Sequence, residues 1–129
     1  MRFTEHELTV ALAGAGKLVV ASNRKLRRKG VDIDTVWAEM DRFQRFKVLD
    51  ALGDQILPVL VALPDVEVAA GARPSYTDSE ISEVVARLAG DGLGRVKRAV
   101  VVKARTALVQ AALAALPPRL DPDGLVSEQ

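Results

Sequence analysis

The only imidazole in this chain is His6, and it contains no thiol. His6 is the one side chain whose ordinary pKa lies near neutrality. It falls in the first turn of an expected helix, where the dipole opposes an imidazolium. Without a second His or a Cys there is neither a nitrogen–sulfur ligand pair for a metal nor a thiolate nucleophile. Asp50 and Asp54 stand four residues apart and share a helix face, which suits a shared cation, but a solvated polar face is the simpler reading. Ala13-Gly14-Ala15-Gly16-Lys17-Leu18 ends like a phosphate-binding loop, yet Ala11 and Leu18 stand where that motif needs Gly and a hydroxyl. The segment also lies inside a helical pattern whose N–H groups are already bonded, so its glycines read as a helix-packing site. No acid, base and nucleophile can be assembled. The expectation is a protein that is not an enzyme and takes no cofactor and no metal.

The remaining chemistry is positive charge. Arg24, Lys25, Arg27, Arg28 and Lys29 fall within six positions, and Lys17 extends them along one side of the first helix. Arg95, Lys97, Arg98, Lys103 and Arg105 follow one another with no acid among them. Side by side, the two stretches would form a surface for a phosphate backbone. No aromatic residue is interleaved in either, which argues against stacking on single-strand bases. Residues 41–57 imitate a helix-turn-helix only loosely, without a turn glycine or a clear polar recognition face. The competing reading is a solvated helix end with intersubunit salt bridges. The net charge of +1 does not decide between them.

These residues must be positioned by helices. Thr4-Glu5-His6-Glu7 and Thr77-Asp78-Ser79-Glu80 are capping boxes. After the first, Leu8, Ala11, Leu12, Ala15, Leu18, Val19, Ser22 and Leu26 recur on one face, and Gly30 supplies a stop. A second region begins near Asp32 or Asp34, with Val36, Trp37, Met40 and Phe43 as its apolar face. Asp41-Arg42-Phe43-Gln44 either caps a new helix or continues the old one. Phe46, Leu49, Leu52, Gly53, Ile56, Leu60 and Leu63 follow at helical spacing, interrupted by Pro58, with Pro64 as the end. Residues 65–75 read as a long loop in which Val66-Glu67-Val68 alternates like a short extended piece. Ile81, Val84, Val85 and Leu88 define the next helix. In the last, from about Arg95 to Leu116, Val96, Val100, Ala104, Ala107, Leu108, Ala111 and Ala115 form one face. Val101, Val102, Val109, Ala112 and Leu113 lie off it, so this helix is expected to be central or packed on both sides.

The fold class that follows is all-α: a four- or five-helix bundle-like single domain with a long central loop and an extended C-terminal tail. The helical domain is expected over 1–118 and an extended or disordered tail over 119–129. Neither a signal peptide nor a membrane span is evident, so a cytoplasmic location is the expectation. With aromatics at 4%, the core must be built of Leu, Val, Ile and Ala, and further burial between subunits is expected.

The stretch from Leu52 to Pro64, then Gly71-Ala72-Arg73-Pro74 and Thr77-Asp78, resembles small helical proteins carried by phages and prophages of high-GC Gram-positive (actinobacterial) hosts. Leu116-Pro117-Pro118-Arg119 and Asp121-Pro122-Asp123 are similar too. The resemblance covers about a third of the chain and brings no residue signature. It implies a virion setting, in the host cytoplasm and the phage particle, and a head–tail connector (adaptor) subunit as the class of function. The expected partners are copies of the chain or other structural proteins, with no membrane. Pro117, Pro118, Arg119, Leu120, Leu125 and Val126, and the loop over 65–75, are the expected partner contacts. The alternative is a small nucleic-acid-binding regulatory protein that uses the two basic segments on a DNA backbone.

Overall fold

The structure, a computed structural model, describes residues 1–22, 30, 32–90 and 92–119. Among the described residues it contains five helices and no strand: α1 (Glu5–Ala21), α2 (Ile33–Glu39), α3 (Arg42–Ala62), α4 (Asp78–Ala89) and α5 (Arg95–Ala115). The all-α expectation therefore holds.

Helix starts follow side-chain chemistry. Thr4, Asp41 and Thr77 each accept the backbone N–H three residues on, while Glu7, Gln44 and Glu80 each accept the N–H of the capping residue. Asp41 thus opens a new helix, which resolves the alternative left open at Asp41–Gln44. Pro58 sits inside α3, and Leu63 ends that helix just before Pro64. Helix α1 is described to Ala21, with Ser22 as its C-cap, and the continuation expected toward Gly30 lies outside the described residues.

The core is aliphatic. Ile56, Leu60 and Leu63 of α3 and its C-cap meet Ile81 and Val85 of α4, Val109 and Leu113 of α5, and the following Leu116. Ala11 and Ala15 complete it from α1 at zero exposure. The most extensive helix pair is α1 against α5. A Cβ on Gly14 would overlap the Ala115 methyl and lie 3.2 Å from the Ala111 carbonyl oxygen. A Cβ on Gly16 would press on the Trp37 ring at 2.6 Å. The two glycines that resemble a nucleotide loop are therefore the points where α5 and α2 approach α1.

Two expected faces differ from those observed. In α1, Leu18 and Val19 are exposed, because the core ends near Gly16. In α5, the core-facing residues are Thr106, Val109, Ala112 and Leu113, largely the set read as lying off the main face. Ala111 and Ala115 do pack against α1, so the C-terminal half is contacted on two sides, as expected. The N-terminal half is not: Val96 and Val100 are 79% and 63% exposed.

The segment between α3 and α4 is not a free arm. Tyr76 is buried and its hydroxyl donates to the Pro64 carbonyl at 2.6 Å, joining the segment's two ends. Arg73 donates to the Leu116 carbonyl, one of the acceptors left over at the end of α5. Gln110 of α5 donates to the Tyr76 carbonyl at 3.0 Å and the Asp78 carboxylate at 2.8 Å. Gly71, at φ +81°, donates to the Arg119 carbonyl at 2.6 Å, and the Arg119 N–H donates to Ala72 at 2.7 Å. The Val66–Val68 stretch forms no strand.

Burial, then the nearby Asp65 carboxylate, pushes the Tyr76 hydroxyl above its ordinary value of 10.0. A phenol whose folded pKa is raised stabilises the fold below the unfolded pKa, and that contribution is lost as pH rises through the folded value. Y76F should cost about 1–2 kcal/mol near neutrality, because the Pro64 carbonyl loses its donor. It should also flatten the loss of stability above about pH 10. Urea unfolding of both proteins at neutral and alkaline pH measures this. G14A should destabilise by about 1 kcal/mol net, since overpacking of roughly 1–3 kcal/mol exceeds the helix-propensity gain of about 1 kcal/mol. A115G in the same chain should return part of the loss in thermal melts.

Candidate interaction surfaces

Among the described residues, part of the basic set is engaged within the fold. Lys17 pairs with Asp34 of α2 at 3.0 Å, so its charge holds α2 against α1. Arg24, Lys25, Arg27, Arg28 and Lys29 lie outside the described residues. Arg98 donates to the Ala86 carbonyl at 2.7 Å and the Gly90 carbonyl at 3.1 Å, capping the end of α4. Arg95, Lys97 and Lys103 have no carboxylate within salt-bridge distance among the described residues. Arg95, Arg98 and Lys103 border an open groove of about 950 Å³ between α4 and α5. Ala86, Ala99, Val102, Ser79, Ser82 and Asp78 also line it. Arg98 is already bonded within the fold, which leaves Arg95 and Lys103 as the cations of the groove without a carboxylate partner among the described residues, with Asp78 as the one acid lining it.

The expected tail contacts divide. Pro117 is half-buried and Pro118 exposed, while Leu120, Leu125 and Val126 lie outside the described residues. Arg119 belongs to the folded body. Its Nε stands 3.1 Å from Oε2 of the buried Glu7, and its guanidinium donates to the Arg2 carbonyl at 2.8 Å and lies over the Phe3 ring. One Glu7 oxygen serves the α1 capping box and the other holds Arg119. This ties the chain after α5 to the start of α1, and it moves the end of the folded body to at least residue 119.

His6, Asp50 and Asp54 are exposed. Among the described residues, no three His, Asp or Glu side chains stand close enough to share a metal ion.

The surface features that the sequence reading missed are apolar. Phe43 and Phe46, read there as inward-facing, are 63% and 59% exposed at the start of α3. The reason is visible on the helix. Leu52, Ile56, Val59 and Leu60 already fill its inner face, and Phe43, Phe46 and Val61 lie on the outer side. The signal was present in Arg42-Phe43-Gln44-Arg45-Phe46-Lys47, where cations alternate with aromatics, and Lys47 lies 4.7 Å above the Phe43 ring. At the other end of the helix, Leu57, Pro58, Val61 and Ala62 line an apolar hollow of about 440 Å³ with Asp54 at its rim. A second exposed patch joins Leu88 at the end of α4 and Leu93 in the turn to Val96 and Val100 of α5.

No protein-family model matches the chain, and no curated protein sequence or solved structure matches it either.

R119A and E7Q should each destabilise the fold, E7Q by less because Gln preserves the capping box. A double-mutant cycle on the pair should give a coupling of about 1–2 kcal/mol, read from chemical unfolding curves. A coupling near zero would mean that Arg119 is held by the Arg2 carbonyl and Phe3 alone.

Proposed function

We propose that this is a non-enzymatic assembly protein that works through contacts with copies of itself and with other structural chains. The observation that carries this reading is the grouping of exposed apolar side chains. Apart from Leu18 and Val19 at the end of α1, they lie on the outer face of α3 (Phe43, Phe46 and Val61) and at the α4–α5 end (Leu88, Leu93, Val96 and Val100). Exposed large apolar side chains that share a helix face are candidates for contact surfaces. Both patches sit on helices that continue into the core, which holds them in place before a partner binds. Within this reading, a head–tail connector subunit of a phage virion is the class proposed from the resemblance of 52–64 and 71–78.

The alternative, a nucleic-acid-binding regulator, keeps support from Arg95, Lys97 and Lys103, which have no carboxylate partner among the described residues. Lys17 and Arg98, two of its residues, already have partners within the fold.

Light scattering over a wide concentration range should give a mass above that of the 13.9 kDa chain. V96E/V100E should lower the order of assembly or abolish partner capture without changing helix content, because both positions face solvent. A monomer at every concentration would overturn self-assembly. A salt-dependent DNA shift lost on replacing Arg95, Lys97 and Lys103 by Gln would favour the alternative.

A further inference from the structure

The open groove between α4 and α5 follows α5 from Arg95 to Gln110, about 22 Å. Most of its lining asks for no polar partner. Ala86, Ala99, Val102 and Ala107 are apolar. The Thr106 hydroxyl donates to the Val102 carbonyl at 2.7 Å, and the Ser82 hydroxyl to the Ser79 carbonyl at 3.0 Å, so both are satisfied within their own helices. At one end Asp78 accepts from Gln110 at 2.8 Å, and at the other Arg98 spends donors on Ala86 and Gly90. The charges left over are the exposed Arg95 and Lys103, about 12 Å apart along α5, neither with a carboxylate partner among the described residues. The groove is also continuous with the apolar patch on α5. Val96, Val100, Lys103 and Ala107 recur at helical spacing as one stripe, so the exposed valines extend the groove's border toward the start of the helix.

An apolar strip about four turns long, bounded by two helices and carrying cations toward one end, matches one face of an amphipathic helix. A small-molecule pocket encloses most of its ligand, and this groove is open to solvent on one side. A phosphate backbone would pair with Arg95 and Lys103, but it would leave Ala99, Val100 and Val102 uncovered and bring negative charge toward Asp78. Resting on the assembly reading above, we propose that the α4–α5 groove receives an acidic amphipathic helix of another structural chain. The apolar face of that helix lies on Ala86, Ala99, Val100 and Val102, and carboxylates about two turns apart pair with Arg95 and Lys103. Asp78 makes the far end of the groove negative, so the partner's acids gather over the start of α5. There the dipole of α5 disfavours its own Arg95 and favours an incoming carboxylate.

The probe is an end-blocked synthetic Leu/Ala helix of about sixteen residues, long enough to span the groove, with Glu beside its apolar face in the first two turns. The same peptide with Lys in place of Glu is the control. Fluorescence anisotropy with the full chain should show the Glu peptide bound, more weakly as salt rises, and the Lys peptide unbound. R95E/K103E should weaken the Glu peptide about tenfold or more and bind the Lys peptide instead, a reversal that a damaged fold would not produce. A99W, at an exposed position in the groove, should block both peptides with helix content unchanged. A Glu peptide that does not bind, or that binds R95E/K103E or A99W as well as the wild type, would overturn this site. If light scattering then still shows an oligomer that A99W leaves intact, the assembly reading stands; a monomer that binds no peptide would overturn both. An oligomer that A99W dissolves would assign the groove to a second copy and overturn the proposal. A DNA duplex that displaces the Glu peptide from Arg95 and Lys103 would overturn it in favour of the nucleic-acid alternative.

Discussion

The close approach of α1 and α5 is the constraint on which the rest of this structure depends. Gly14 faces Ala111 and Ala115, and no side chain beyond a methyl separates the two backbones there. Such contact exchanges helix propensity for dispersion between closely packed atoms. Once α5 is laid against α1, its opposite side carries Val109, Ala112 and Leu113 into the α3–α4 core. Its end then stands where Arg73, Gly71 and Ala72 can satisfy the leftover backbone groups and where Arg119 can reach Glu7. The loop over 64–77 and the two ends of the folded body are thereby fixed by the same crossing.

That crossing also decides which surfaces are left over. The C-terminal half of α5 is contacted by α1, α3 and α4. Its N-terminal half runs past the end of the core, so Val96 and Val100 stay in solvent. Helix α3 meets the core with one side only, and its aromatic residues fall on the other. The chain has four percent aromatics, and it places two of its three phenylalanines on an exposed helix face. A protein that built its core for maximum monomer stability would bury them, because ring burial is the largest apolar contribution any side chain can make.

The amino-acid pattern made the helices legible because their signals are local. Thr4–Glu7 and Thr77–Glu80 announce two starts, Pro64 an end, and the spacing of Ile81, Val84, Val85 and Leu88 a buried face. The faces of α1 and α5 were less legible, and the reason is physical. An Ala- and Val-rich helix is apolar nearly all round, so periodicity cannot tell which side meets the core; only the three-dimensional crossing can. Phe43 and Phe46 were misplaced for a related reason. Helix α3 carries apolar residues on two sides, and volume favours burying Phe, yet the inner side was already filled by Leu52, Ile56 and Leu60.

Charge placement separates the structural cations from those left for other work. Lys17 holds α2, Arg98 caps α4, Arg73 caps α5 and Arg119 joins the termini of the folded body. Each has a short-range partner that explains its position without a ligand. Arg42, and Arg95 and Lys97, have none of these roles among the described residues, and they lie in the first turns of α3 and α5. The helix dipole disfavours cations there by about 0.3–1 kcal/mol each, and acids occupy the corresponding turns of α1 and α4. Placing positive charge against the dipole and beside exposed apolar residues is a cost to the isolated chain. An acidic surface laid over the same turns would offset that cost.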